Sequence, residues 1–276
     1  MYKITHYKNN ASFSIIHHKT RQQEEVCNNK QMDEKDITIE TPDNAVIYGK
    51  FAGSFSQPLF IMVHGLLCDM DEEIYVNATK WFQKQGFATF RFNLYGHQKR
   101  ARQLMNCTIK THSADLDTVV RYFKKEGAKK ICIAGHSFAG PVIFGSEEQG
   151  YNATALWDPS YKISFTENTS DFPGGEYNKE ADSYIMRWGT NVVISRAMVE
   201  EVDEFPWQDI TSSFKVPFRI IVPVKGEIPD AKGYQEKAKV ENDLVSIKGA
   251  SHYFDDNPEI REQLFRITKD WFDKYI

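Results

Sequence analysis

The rhythm of apolar and polar positions divides the chain into stretches of different character. Residues 1 to about 36 are polar and irregular. Lys3–Tyr7, Asn9-Asn10 and Phe13–His17 fit a hairpin, because Asn accepts the positive φ of a tight turn, and the charged run Gln22–Asp36 fits a loop or linker. From Ile37 the apolar positions become regular. Ile37–Glu40 and Ala45–Phe51 flank Pro42-Asp43-Asn44, a strand, turn, strand signature. Leu59–Val63 is apolar throughout, as expected of a strand covered on both faces. Tyr75–Gln85 has helical spacing closed by Gly86, and Phe87–Phe92 is the following strand. Ser113–Glu126 then carries Leu116, Val119, Val120 and Phe123 on one helical face, Gly127 ends it, and Lys130–Ala134 is the next strand. Gly135–Gly140 opens another helix, and Ala153–Trp157 is one more strand.

Strands alternating with helices predict an α/β fold, with a mostly parallel central sheet flanked by helices and right-handed crossovers. Ser160 to about Lys215 breaks the alternation. This stretch carries Pro173-Gly174-Gly175 and then Met186, Trp188, Phe205 and Trp207, and its length between two sheet strands predicts an inserted cap. Its Met and aromatic side chains either line an acyl or aryl pocket or, for most of them, pack the cap onto the sheet. The sheet resumes at Val216–Val222 and Leu244–Ile247, and the amphipathic run Pro258–Tyr275 closes the chain. The plan is an extension over 1–36 and an α/β domain over 37–276, with a cap at about 160–215.

Composition narrows the function classes. With 41% hydrophobic and 26% charged residues among 276, the chain can build a core without disulfides or metals. A net charge of −4 with no dense Lys/Arg stripe argues against nucleic acid as a partner. No apolar run approaches the ~20 residues of a membrane span. Cys27, Cys68, Cys107 and Cys132 show no CxxC or ligand spacing, and the N-terminus has no apolar leader, so free thiols and a cytoplasmic location are expected. The absence of HExxH, of Cys/His clusters and of GxGxxG after a strand leads to the expectation of no metal and no cofactor.

The strongest local signal is Gly135-His136-Ser137-Phe138-Ala139-Gly140. A serine on a sharp strand-to-helix turn needs small neighbours, and the helix N-terminus beside it favours a developing oxyanion. Ala139 stands where the usual G-x-S-x-G pattern has its second glycine, and Gly140 follows it. With Val63-His64-Gly65-Leu66, Arg91–His97 and Gly249-Ala250-Ser251-His252-Tyr253-Phe254, this segment stands at the predicted strand ends, in order. Over residues 37 to the C-terminus the chain resembles the α/β-hydrolases, in particular small serine esterases and thioesterases with a short cap.

The resemblance implies Ser137 as nucleophile and His252 as general base, with backbone N–H groups of Leu66 and Phe138 as oxyanion hole. It implies a small acyl ester or thioester as substrate. For the acid, Glu227 after the strand ending near Val224 is the first choice, Asp158 after Trp157 the rival, and Asp230 the third candidate. His6, His17, His18 and His112 read as surface residues, His64 and His97 as structural parts of the fold, and His136 as pointing away from the elbow. An acyl-thioesterase or acyltransferase acting on a carrier-bound group, or an impaired hydrolase serving as a binding protein, are the alternatives.

Overall fold

Glu34–Glu40 (β1) and Val46–Ala52 (β2) pair antiparallel around a turn at Asn44, whose φ is 67°. They begin the structure, a computed structural model that describes residues 33–168, 173–188, 190–224 and 231–276. The expected hairpin at Lys3–His17 lies outside these residues. β1 starts at Glu34, inside the stretch read as a linker, because Glu34 is held by Arg91, a side chain only 3% exposed that also pairs with Asp71 at 3.0 Å.

The chain then alternates as the apolar pattern requires. Leu59–Val63 (β3), helix Glu73–Lys84 (α1), Ala88–Phe92 (β4), helix Ile109–Lys125 (α2), Ile131–His136 (β5), helix Ala139–Phe144 (α3) and Ala153–Trp157 (β6) follow in order. α2 begins before Ser113 because Thr108 and Thr111 form a reciprocal capping box, a signal independent of the apolar stripe. Gly86 and Gly127, at φ 87° and 101°, end α1 and α2 as expected.

The cap comes next. Glu176–Asn178 (β7), Ser183–Trp188 (β8) and Thr190–Ser195 (β9) make a three-stranded antiparallel sheet. Helix Arg196–Glu204 (α4) follows, capped by the Ser195 hydroxyl accepting from the Met198 N–H. Phe218–Pro223 (β10), Asn242–Ile247 (β11) and helix Pro258–Phe272 (α5) complete the described fold.

The central sheet among the described residues runs β1-β2-β4-β3-β5-β6-β10-β11. It is antiparallel through β1, β2 and β4 and parallel from β4 to β11. Side-chain alternation sorts its strands onto two apolar layers. Leu59, Ile61, Val63, Phe90 and Phe92 join Val119, Phe123 and Val142 of α2 and α3 on one face. Phe60, Met62, Cys132, Ala134 and Trp157 join Phe82 of α1 and Leu264, Trp271 and Phe272 of α5 on the other. Met186, Ile194, Met198 and Val202 of the cap extend the first layer, and Trp207 packs on Tyr161 and Phe205. These side chains of the insert serve packing. All parallel strands end at one edge of the sheet, and the chemistry-bearing residues collect there.

Candidate active site

Register places two of those residues side by side. β5 and β6 run parallel with His136 opposite Trp157, so Ser137 and Asp158 leave adjacent strands at the same level. Both adopt left-handed backbone, φ 55° and 42°, a conformation that costs a non-glycine residue on the order of 1–3 kcal/mol. Hydrogen bonds hold it. The Ser137 N–H donates to the Trp157 carbonyl at 2.9 Å, and the Ser137 carbonyl accepts from the N–H groups of Gly140 and Ser160, both at 3.0 Å.

The elbow is also a problem of space. A Cβ on Gly135 would lie 2.7 Å from the Ala139 Cβ and 2.5 Å from Ile143, and one on Gly140 would lie 2.6 Å from Pro159. Ala139 is therefore tolerated because the residue it faces, Gly135, has no side chain.

His252 reaches this edge on the loop between β11 and α5. Phe254, 0% exposed and at φ 53°, plugs that loop into the second apolar layer. The Ser251 N–H donates to the Asp256 carboxylate at 2.8 Å. The His252 Nδ1 lies 2.7 Å from Asp158 Oδ2, with Asp158 fully buried and the His252 side chain 12% exposed. A carboxylate oxygen accepts, so Nδ1 carries a proton toward Asp158, and Nε2 is the ring nitrogen left to meet another group. Among the candidate acids, Glu227 and Asp230 lie outside the described residues. Asp158 is the one found against His252.

A third strand brings another loop to this edge. β3 lies beside β5 with Val63 opposite Gly135, and the chain continues into His64-Gly65-Leu66. A Cβ on Gly65 would meet the His136 carbonyl and the Ser137 Cβ, each at 3.2 Å, so this backbone passes directly beside Ser137. His64 is 1% exposed, and burial pushes it down to about 4, so the ring is neutral. Its Nε2 accepts from the Leu94 N–H at 2.9 Å, leaving Nδ1–H to donate to the Gly65 carbonyl at 2.7 Å. In a trans peptide the N–H points opposite the carbonyl. With the Gly65 oxygen turned toward His64, the Leu66 N–H is turned away from it. Phe138 is the N-cap of α3, next to Ser137.

No protein-family model matches the chain, and no curated protein matches it. Solved structures do. Est1E from Butyrivibrio proteoclasticus, with ferulic acid bound, is 21% identical over 86% of this chain and 99% of its own, at a TM-score of 0.71. An esterase domain from Rhodothermus marinus is 16% identical over 88% and 99%, at 0.67. The Pyrococcus furiosus esterase Pf2001 is 19% identical over 87% and 93%, at 0.61. The chain has the α/β-hydrolase fold. Identities this low establish the architecture alone.

Within this α/β-hydrolase frame the remaining histidines sort differently from the sequence reading. His112, expected at the surface, is 0% exposed between Tyr95 and Phe138. It stands one helical turn before Leu116, on the same stripe, and its polar sequence neighbours hid that. His97 is exposed, and His6, His17 and His18 lie outside the described residues. Trp188 packs at a tilt on Phe165, which in turn contacts Phe138, so an aromatic row connects the cap to the elbow. A groove of about 600 Å³ lies elsewhere, bordered by Thr108, Lys110 and Glu200, and contains none of Ser137, Asp158 or His252. Among the described residues no group of three or more His, Cys, Asp or Glu could hold a metal, and no helix is long and apolar enough to cross a membrane.

Proposed function

We propose that the protein is a serine hydrolase that cleaves a carboxylic ester or thioester through an acyl-enzyme. Ser137 is the nucleophile, His252 the general base and Asp158 the acid that orients it. The observation that carries the reading is the 2.7 Å pair between Asp158 and His252, placed where Ser137 and Asp158 leave neighbouring strands. In the first step His252 Nε2 takes the hydroxyl proton as Oγ bonds to the acyl carbon. The oxygen that gains the negative charge is met by the N–H groups of Leu66 and Phe138, each such donor being worth about 3–4 kcal/mol in the transition state. His252 then gives its proton to the departing alcohol or thiol. Water, deprotonated by the same imidazole, attacks the acyl-enzyme and releases the acid and Ser137.

The likeness to proteins named as esterases supports ester cleavage over other hydrolytic chemistry, and the ferulic acid in Est1E makes hydroxycinnamoyl esters worth including among the substrates tried. The pairing of His252 with Asp158 supports an active hydrolase over a binding protein without activity. Transfer from a carrier-bound thioester remains the second reading.

Hydrolysis of p-nitrophenyl esters from acetate to laurate, methyl ferulate and matching thioesters, by the protein and by Ser137→Ala, tests the proposal. Turnover that drops to background in the variant supports it, and the chain-length optimum sizes the pocket. Equal rates in the two proteins on every substrate turned over would contradict it.

A further inference from the structure

His136, the residue before Ser137, sits at the end of β5 with 1% of its surface exposed. Its ring turns toward the loop of His252. The His136 Nε2 lies 2.7 Å from the backbone carbonyl of His252, and the two imidazoles face each other at 4.5 Å between centroids with 42° between planes. The sequence reading, which has it pointing elsewhere from the elbow, gives it no such destination.

From this geometry we infer that His136 is a positioning residue, whose Nε2–H clamps the backbone of His252 to the strand carrying the nucleophile. The inference rests on the serine-hydrolase reading and adds a residue to it. A carbonyl can only accept, so the proton of His136 is on Nε2 and the neutral ring has a bare Nδ1. Burial, and then the neighbouring His252, push His136 down to about 3, which keeps that ring neutral at working pH.

A clamp is needed because the Asp158 bond fixes only one ring atom of His252. The loop is anchored on either side, by the Ser251 N–H on Asp256 and by Phe254 in the core, but it carries Gly249 at φ 80° and neither anchor acts on His252 itself. A second bond, to the carbonyl of the same residue, fixes the backbone as well and so sets the pitch of Nε2 toward Ser137. A neutral partner also suits a ring that becomes positive each time it takes the serine proton. A Lys or Arg in place of His136 would donate as well but would repel the imidazolium 4.5 Å away.

The experiment compares His136→Phe, which keeps a ring and removes the donor, with His136→Gln, whose amide N–H reaches to about the Nε2 position. The expected result is a fall in kcat of about 10- to 100-fold for His136→Phe with KM little changed, as for a sub-ångström to ångström misplacement of a catalytic group. His136→Gln should recover most of the loss. Equal kcat in all three proteins, or a Gln variant as slow as the Phe variant, overturns the inference. If the variants do not fold, ¹⁵N NMR of the unaltered protein at neutral pH decides. An Nε2–H tautomer at His136 with a slowly exchanging proton is expected, and the Nδ1–H tautomer overturns the clamp. The NMR readout needs no substrate. Failure of the serine-hydrolase reading would appear separately, as activity retained by Ser137→Ala.

Discussion

At the scale of single residues, the proposed chemistry depends on which carboxylate serves His252. Asp158 is fully buried with one oxygen on His252 Nδ1, so replacing it should leave the imidazole in the wrong tautomer and without its counter-charge. Asp158→Asn is expected to lower kcat/KM by about 10³- to 10⁴-fold with little change in far-UV circular dichroism. Glu227→Gln should stay within about threefold of the unaltered enzyme, an effect no larger than a typical surface change. The reverse ranking in ester kinetics would transfer the acid's role to Glu227. The sequence reading ranks Glu227 ahead of Asp158 and Asp230, and nothing local points to Asp158, because its bond to His252 spans 94 positions and depends on how β5, β6 and the loop after β11 meet. Ser137 and His252 can be proposed from the sequence, since each stands in a local motif at a predicted strand end. His64 and His136 were seen as residues of motifs, but their bonds to the Gly65 and His252 carbonyls are long-range or geometric facts that no spacing announces.

At the scale of elements, the site is rigid where strands end and depends on plugs where loops begin. Phe254 is the plug for His252, 0% exposed in the layer formed with α5. Phe254→Ala should cost about 3–5 kcal/mol of stability, read by urea unfolding, and lower kcat even at a temperature where the variant is folded. A variant that loses stability and keeps the full kcat would show that the loop needs no such anchor. The strands were the most legible elements. Leu59–Val63 and Ala153–Trp157 have the expected bounds, because unbroken apolar runs between turn residues admit little else. Helix α2 starts earlier than its apolar stripe because Thr108 caps it, and β1 starts earlier than its apolar residues because Glu34 finds Arg91. The cap was legible as an interruption, while its β7-β8-β9 sheet was not, since those strands alternate weakly and lie among turn residues.

At the scale of the whole molecule, three buried histidines among the described residues set a limit on acid tolerance. Burial holds His64 down to about 4 and His112 and His136 down to about 3, against the ordinary 6.5. The folded protein keeps these rings neutral, whereas the unfolded chain protonates them once the pH falls below 6.5. Stability from this source is therefore complete above pH 6.5 and is lost as pH drops toward the folded values. Each ring contributes a slope of up to about 1.4 kcal/mol per pH unit, about 4 for the three together. A protein of ordinary stability, about 5–15 kcal/mol, should then unfold within a few pH units below 6.5. His112→Phe, which removes a ring placed between Tyr95 and Phe138, should flatten the slope of ΔG against pH by about one third. Urea melts at a series of pH values measure this, and an unchanged slope would mean that His112 takes up a proton in the folded state.

The central claim is that Ser137 becomes covalently acylated, and the most direct measurement is the site of capture by a fluorophosphonate. The protein is incubated with the reagent, its intact mass is recorded, and the modified peptide is sequenced by tandem mass spectrometry. One adduct per chain is expected, located on Ser137, formed at least about 10²-fold more slowly in Asp158→Asn and absent from Ser137→Ala. An unmodified protein, or an adduct that persists at the same rate in Ser137→Ala, would contradict the claim.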